Sequence, residues 1–179
     1  MQKKEYKKGF SIGEVLIAAF ILTVGVVSAV TLLTRSIVDT IDSRNLVIAS
    51  QLAQEGTELV RNQRDNNTVT GSLIFDHFPA DGGGPEYCSM DYRSDLICGS
   101  GAVETLLYNG EKFYEHQSGN PTSFSRRIVI ARDGSLATVD SMVVWQEGVF
   151  PPDPKGCTFS QKCVRATSKL TEWHVDDGI

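Results

Sequence analysis

The feature that most constrains this chain is a long apolar segment near its N-terminus. Residues Phe10 to Leu33 form 24 consecutive positions that contain one charged side chain, Glu14. As a helix with a rise of about 1.5 Å per residue, this segment would be about 36 Å long, enough to cross a hydrocarbon core of about 30 Å. No other stretch of the sequence is comparably apolar. The pattern therefore predicts one transmembrane helix over residues 10–34.

The residues before the apolar segment are basic. Met1–Gly9 contains Lys3, Lys4, Lys7 and Lys8 against Glu5, a net charge of +3. Because basic flanks stay in the cytoplasm, the rest of the chain is expected to be exported. An ordinary secretory signal has a shorter apolar region of about 7–15 residues and ends at small residues, which Leu32–Ser36 does not provide. An uncleaved signal anchor is therefore one interpretation of the segment.

The junction between the basic residues and the apolar segment reads Lys8-Gly9-Phe10-Ser11-Ile12-Gly13-Glu14. It resembles the class III signal of type IV prepilins and pseudopilins, in which a basic leader ends in Gly, Phe follows, and Glu stands four positions further on. Gly9, Phe10 and Glu14 match that pattern, whereas Gly13 departs from the usual Gly-Phe-Thr-Leu-Ile-Glu. The resemblance implies that prepilin peptidase removes residues 1–9 as a leader by cleaving after Gly9, and that Phe10 is then N-methylated.

Glu14 is an unusual residue in a membrane segment. A carboxylate near the bilayer centre costs about 2.5–3.5 kcal/mol on insertion scales, so it requires a partner or a position near the interface. The family resemblance implies a role in assembly, in which Glu14 neutralises the new amine on Phe10 of a neighbouring subunit. The alternative is that Glu14 reaches the cytoplasmic interface and has no further task.

Helical periodicity continues beyond the membrane segment. Apolar residues recur mostly at spacings of four and seven, and no proline interrupts residues 10–78. These residues are Ile37, Ile41, Ile48, Leu52 and Leu59. The pattern predicts an amphipathic helix over residues 35–65 that continues into a globular head, with Asp65-Asn66-Asn67 as its end. A long helix of this kind gives the ladle shape of type IV pilins.

The segment Ser50–Asp65 has a resemblance of its own. Its Leu-Ala-Gln-Glu-Gly-Thr-Glu-Leu core is similar to a stretch seen in V-type minor pilins, which implies a minor or accessory subunit. Its charged residues are either inter-subunit pairing groups or an ordinary solvated helix face. They are Glu55, Glu58, Arg61 and Arg64. Gly56 is predicted to mark close packing of a strand across the helix.

Residues 66–179 predict the β-sheet part of the head. The strand candidates are Phe124–Arg132, Ala137–Glu147 and Val164–His174, with Asp133-Gly134 as a turn and weaker candidates at 72–78 and 112–116. Asp81–Pro85 and Phe150–Pro154 are predicted to be loops. The fold class is therefore α+β: a long N-terminal helix, one half in the membrane and one half amphipathic, packed on three or four antiparallel strands.

Four cysteines lie in the part predicted to be exported. An even number in an oxidising compartment indicates two disulfides. Three pairings are possible, and the local one, Cys88–Cys98 with Cys157–Cys163, requires the fewest assumptions because each pair brackets a short loop. A zinc site is the rival interpretation, but nine and five intervening residues fit the usual Cys-x2-Cys spacing poorly.

The remaining polar residues do not indicate an enzyme. None of the three histidines, His77, His116 and His174, stands in a recognised catalytic or phosphate-binding motif. Four aspartates could contribute to a calcium site, but they lack EF-hand spacing. They are Asp81, Asp91, Asp95 and Asp153. The net charge of −5 becomes −8 when the +3 leader is removed, which disfavours nucleic acid. We expect no catalytic residue, metal or cofactor.

The resemblance and the residues together predict a structural subunit of a type IV pilus-like filament, and the similarity to V-type pilins implies a minor subunit. A type II secretion or competence pseudopilin and a pilus-tip binding subunit are the alternatives. The implied partners are other pilin subunits, prepilin peptidase, an inner-membrane assembly platform and, before assembly, membrane lipid. The implied location is a single-pass inner-membrane protein with a cytoplasmic N-terminus, then a cell-surface or periplasmic filament.

Overall fold

The structure is a computed structural model that describes residues 9, 11–99, 104–108, 110 and 114–172. The chain divides into two compact units, residues 1–43 and residues 44–179. Helix α1, Ile12–Thr70, provides the helical residues of the first unit and the first element of the second. In the second unit this helix packs on an antiparallel sheet, so the predicted α+β class is confirmed.

Seven strands are present among the described residues, and every pairing between them is antiparallel. They are β1 (Glu86–Ser89), β2 (Ile97–Cys98), β3 (Glu104–Tyr108), β4 (Tyr114–Glu115), β5 (Asn120–Asp133), β6 (Leu136–Trp145) and β7 (Cys163–Thr171).

The 14-residue strand β5 organises the sheet. On one side it pairs with β6, from Phe124 opposite Trp145 to Asp133 opposite Leu136, and β7 lies beyond β6. The other side of β5 is shared by two short hairpins. Its first half pairs with β3 and its second half with β1, while β4 and β2 lie outside these two strands.

The β5–β6 hairpin follows from its turn residues. Asp133 lies opposite Leu136, so the loop has two residues, Gly134 and Ser135. Gly134 has a φ of +57°, which two-residue hairpins require at the first loop position and which glycine adopts without a steric penalty. The Gly134 N–H also donates to the Asp81 carboxylate at 2.7 Å, which ties the turn to the loop before β1.

Two apolar clusters join α1 to the sheet. One cluster includes Val60 of the helix with Ile128 and Val139 of the sheet. The other includes Leu52 of the helix with Trp145. Complete burial of such side chains stabilises a fold by about 1.5–3 kcal/mol each, so these contacts account for most of the attachment of the helix to the sheet.

A third, smaller cluster covers the opposite face of the sheet. Val129, Met142 and Val144 lie there, beneath Phe150 and the Cys157–Cys163 disulfide. The Arg127 guanidinium lies between the rings of Tyr87 and Phe150, 4.8 and 4.6 Å from their centroids. These contacts hold the loop between β6 and β7 against the sheet.

Helix α1 ends later than the sequence predicted. It continues through Asp65-Asn66-Asn67 to Thr70, and Gly71 then takes a φ of +74°. The Gly71 N–H donates to the Thr68 carbonyl and the Ser72 N–H to the Asn67 carbonyl, which is the Schellman arrangement. Asn67 stays helical because its side chain is buried, accepts from Gln63 and donates to the carbonyls of Ile74 and Asp76.

Two expectations about the strands were also wrong. Residues 72–78 form consecutive turns rather than a strand, and their aromatic residues Phe75 and Phe78 pack edge to face at 5.1 Å in the first apolar cluster. The described residues form seven strands rather than the expected three or four. The sequence did not predict β1, β2 and β3 because they are too short to show a periodicity. The predicted loops at Asp81–Pro85 and around Phe150 are confirmed.

Candidate functional site

The helix that carries the predicted assembly site begins beside Gly9. Residues 1–8 and Phe10 lie outside the described residues, so the leader, the cleaved bond and the N-methylation site at Phe10 remain predictions. The described part starts with Gly9, which is exposed, and Ser11. The Ser11 carbonyl accepts hydrogen bonds from the N–H groups of Glu14 at 3.0 Å and Val15 at 3.2 Å. Glu14 is therefore in the first turn of α1.

Glu14 has no hydrogen-bond or ion-pair partner among the described residues, and its side chain is exposed. It borders a shallow concavity whose other walls are the apolar side chains of Val15, Ala18, Ala19 and Leu22. The amide groups of the first helical turn favour a carboxylate there by about 0.3–1 kcal/mol. This is much less than the cost of leaving an unpaired carboxylate in lipid, so Glu14 is suited to a partner from another molecule.

The hydroxyl groups of Thr23, Ser28 and Thr31, in contrast, donate hydrogen bonds within the helix. Thr23 donates to the Phe20 carbonyl, Ser28 to Val24, and Thr31 to Val27, at 2.8–2.9 Å. Such bonds remove the need for water around these side chains, which suits an apolar environment. Glu14 is thus the one charged side chain in the described part of the Phe10–Leu33 segment, and it is also unpaired.

The side chains of this segment make an apolar surface with nothing packed on it. Leu22, for example, is 69% exposed, and an 18-residue window of the helix has a mean hydropathy of 2.6 with none of it buried. Among the described residues, α1 is the one helix long and apolar enough to cross a membrane. Apolar surface of this extent requires lipid or protein around it.

The charged residues of α1 from Glu55 to Asp65 make contacts within the chain. Arg61 Nη1 donates to both carboxylate oxygens of Glu58, at 2.7 and 2.9 Å, one turn apart on the helix. Arg64 pairs with Asp65 at 2.7 Å. The exposed Glu58–Arg61 pair contributes a few tenths of a kcal/mol, as on a solvated helix face, whereas the Arg64 side chain is only 11% exposed. Both arginines also reach β7, since Arg61 Nη2 donates to the Ser168 Oγ and Arg64 Nη1 to the Thr171 carbonyl, each at 3.3 Å. Glu55 differs in that its ion-pair partner lies in the sheet.

That partner is Arg126 of β5, whose buried position was not predicted from the sequence. Its side chain is 1% exposed, and its Nη1 donates to the Glu55 carboxylate at 3.2 Å and to the Leu52 carbonyl at 3.3 Å. Its Nη2 donates to the Met90 carbonyl at 2.8 Å. Burial lowers the pKa of Arg126, and the negative charges of Glu55 and Asp91 partly oppose this. Arg126 thereby joins the helix, the central strand and the loop after β1.

The signal for Arg126 was present in the sequence. Phe124, Ile128 and Ile130 occupy alternate positions of the strand and face α1, and Arg126 stands in the same alternation. A cation in that series is buried, and a buried cation requires an acceptor.

Gly56 lies where the helix is closest to the sheet, as the sequence predicted. A β-carbon placed on Gly56 would lie 2.3 Å from the Ser141 Oγ and 3.1 Å from the Arg126 Cδ. Any larger residue would push the helix away from β5 and β6, so this glycine is required by packing.

The four cysteines form two disulfides between sequence neighbours, Cys88–Cys98 and Cys157–Cys163. This is the pairing that required the fewest assumptions. Cys88 and Cys98 lie opposite each other on β1 and β2, so their bond fixes a strand only two residues long. The second bond closes the loop that carries Phe159.

The histidines and aspartates named from the sequence are dispersed. Asp91 accepts hydrogen bonds from the N–H groups of Arg93, Ser94 and His116, and Asp81 and Asp153 accept from single backbone N–H groups. His77 neighbours Asp76, and His174 lies outside the described residues. Within the described ranges, no three histidine, cysteine or acidic side chains come together as a metal site.

Comparison of the chain with protein-family models, with curated proteins and with solved structures finds no match.

Proposed function

We propose that this chain is a type IV pilin-like subunit, anchored by its N-terminal helix and built to polymerise through it. The observation that carries the proposal is Glu14, an unpaired carboxylate in the first turn of an exposed apolar helix, four positions after Phe10. A simple membrane anchor requires no charged residue at this place, whereas a polymerising helix can use one.

The proposed partner of Glu14 is the N-terminal amine of a second copy of the chain. Cleavage after Gly9 creates that amine on Phe10, and methylation keeps its positive charge. At a separation of about 4 Å and an effective dielectric constant of about 20, the attraction is about 4 kcal/mol before the cost of desolvation. The pairing would neutralise both charges in the apolar interior of a filament.

The same arrangement serves a pilus and a secretion pseudopilus, and the similarity to V-type minor pilins favours an accessory subunit. The basic residues before Gly9 favour a cytoplasmic N-terminus in the inner membrane. Two disulfides in residues 44–179 favour an oxidising compartment for that unit.

A pilus-tip binding subunit is the second candidate, because one loop presents apolar side chains to solvent. Val149 is 71% exposed and precedes the Cys157–Cys163 disulfide, and Phe159, inside the loop that this disulfide closes, is 54% exposed. A constrained apolar loop of this kind favours contact with another surface.

The proposed function is tested by Glu14→Gln, which removes the charge and keeps the shape. The variant should reach the membrane and lose its leader normally, but its amount in filaments sheared from the cells should fall at least tenfold. Glu58→Gln is the matched control, because Glu58 is a glutamate of the same helix whose partner, Arg61, is on the helix surface. Equal recovery of the two variants in sheared filaments would contradict the proposal.

A further inference from the structure

A groove in the second unit is lined by several side chains whose hydrogen-bonding groups have no partner among the described residues. It lies between the start of the second unit's helix, the β3–β4 hairpin and the beginning of β5, and its volume is about 450 Å³. We call it the tyrosine groove and define it by Arg44, Asn45, Ile48, Tyr108, Tyr114 and Asn120. Small-molecule sites have volumes of about 300–1,000 Å³.

Two half-buried tyrosines form one wall. The ring centroids of Tyr108 and Tyr114 are 5.6 Å apart and the rings are tilted by 57°, so they present two differently oriented apolar faces. Burial raises the pKa of Tyr114, helped by Tyr108 and Glu55 and opposed by Arg44, so the phenol is neutral at physiological pH. Neither hydroxyl has a hydrogen-bond partner among the described residues.

Arg44 differs from the other arginines of the second unit. It makes no ion pair and no ring contact among the described residues, and its side chain is exposed beside the tyrosines. Each of the others has such a partner: Arg61, Arg64, Arg93, Arg126, Arg127, Arg132 and Arg165.

The carboxamides in the groove are also unused. Asn45 and Asn120 make no side-chain hydrogen bond among the described residues. Thr122 shows the contrast, because its hydroxyl donates to the Leu106 carbonyl at 2.6 Å and accepts from the Phe124 N–H at 3.2 Å. The groove thus collects donors and acceptors that water alone would satisfy.

These groups match one ligand chemistry. Tyrosine rings offer apolar faces for the C–H face of a sugar ring, phenols and carboxamides both donate to and accept from hydroxyl groups, and a guanidinium binds a carboxylate with two parallel hydrogen bonds. A peptide strand fits less well on the β3 side of the groove, because Asn120 and Pro121 of β5 are already paired with Tyr108 and Leu107 of β3. We propose that the tyrosine groove binds a saccharide that carries a carboxylate, with Arg44 on the carboxylate and the tyrosine rings against the sugar.

This site goes beyond the proposed filament role and does not depend on it, because every residue that forms it belongs to the second unit. It is therefore tested on binding alone. The full chain in detergent micelles is titrated calorimetrically with trigalacturonate and, as the matched neutral probe, with galactotriose.

Trigalacturonate should bind with a dissociation constant in the micromolar to millimolar range, about tenfold more tightly than galactotriose. Arg44→Gln should abolish that difference, because it removes the positive charge that would bind the carboxylate and leaves a polar, uncharged side chain. Tyr108→Ala should weaken both trisaccharides, while Tyr108→Phe, which keeps the ring, should retain most of the affinity. Arg165→Gln is the control outside the groove and should change neither.

The proposal is overturned if neither trisaccharide binds at about 10 mM, a concentration that would reveal even a weak site. It is also overturned if both bind equally, or if Arg44→Gln affects binding no more than Arg165→Gln does. Near-UV circular dichroism of each variant ensures that a loss of binding is scored only on folded protein.

Discussion

Helix α1 contains two stretches with the same backbone and opposite surroundings. In the first unit its apolar side chains are exposed, as at Leu22, which is 69% exposed. In the second unit the same helix buries Leu52 to 3% exposure and joins an ion pair with the sheet. The comparison teaches that helical periodicity alone does not define a core. A helix face becomes part of a core when the residues that cover it belong to the same chain.

The difference extends to charge. The first stretch has one carboxylate in its 24-residue apolar segment, Glu14, without a partner among the described residues. The second has Glu55, whose partner Arg126 is in β5. One stretch therefore depends on other molecules for its stability in water, and the other on its own sheet. Substitutions in each stretch should show what stabilises it: other molecules for the first stretch, and the sheet for the second. The largest effect is expected where a buried charge is removed.

Arg126→Ala should destabilise the second unit by about 3–5 kcal/mol, because it leaves a cavity and removes the donor from the Met90 and Leu52 carbonyls. Thermal unfolding followed by near-UV circular dichroism measures the loss. Arg165→Ala is the matched control, since Arg165 also pairs with one carboxylate but in a more exposed position, and it should cost about 1 kcal/mol or less. Equal losses would show that Arg126 does not join the helix to the sheet.

Gly56→Ala and Gly25→Ala place the same methyl group in the two stretches of α1. At Gly56 the added carbon overlaps Ser141, so we expect a destabilisation of about 2–3 kcal/mol. At Gly25 no atom lies within 4 Å, so the substitution should be neutral or raise helix stability by up to about 1 kcal/mol. The same unfolding measurement and the helical circular dichroism signal report the two effects. A neutral Gly56→Ala would contradict the described contact.

The buried carboxylate of Asp91 is expected to make the folding stability of the second unit depend on pH, and Asp91→Asn tests this. Burial alone would raise the pKa of Asp91, but hydrogen bonds from the backbone of His116, Arg93 and Ser94 outweigh it, and the net shift is downward. A carboxyl whose pKa is lowered by folding stabilises the protein above its unfolded-state pKa and ceases to do so as the pH falls through its folded-state pKa.

Asp91→Asn should therefore cost about 2 kcal/mol at pH 7, where the carboxylate accepts its hydrogen bonds. The difference from the wild type should shrink as the pH falls below about 4. Unfolding temperatures of both proteins at pH 7 and at pH 3 check this, and a difference that is the same at both values would exclude the ionised carboxylate as the cause.

Glu58→Ala should have the smallest effect, because the Glu58–Arg61 pair is on the exposed surface of the helix. We expect a loss of about 0.3–0.5 kcal/mol that disappears in high salt. Unfolding at low and high ionic strength measures it. A loss above about 1 kcal/mol would show that this face of the helix has a contact that the second unit alone does not provide.

The sequence predicted those parts of the fold that have a long periodicity. The apolar run, the long strands near Phe124–Arg132 and Ala137–Glu147, and the Asp133-Gly134 turn are all found where they were expected. The short strands β1, β2 and β3 could not be predicted, because their formation depends on pairing with distant β5 and, for β2, on the Cys88–Cys98 bond. The late end of α1 depends on Asn67, whose partners lie in the following turns.

The candidate site also contains residues that could be identified from the sequence and residues that could not. Glu14 was identified from the sequence because a charge in a long apolar run is conspicuous. Arg126 was missed because a single cation in a strand looks like an exposed residue until its neighbours are known to face the helix. The tyrosine groove was also missed, since Arg44, Tyr114 and Asn120 lie far apart in the sequence and are brought together by the β3–β4 hairpin and the start of β5.

The most direct test of the central claim is the intact mass and N-terminal sequence of the protein purified from its native membrane. The account predicts a chain that begins at N-methylated Phe10 and is lighter by two hydrogens for each of its two disulfides. A chain that begins at Met1, from cells with active prepilin peptidase, would contradict the account. The protein would then be a signal-anchored domain whose apolar helix serves only to hold it in the membrane.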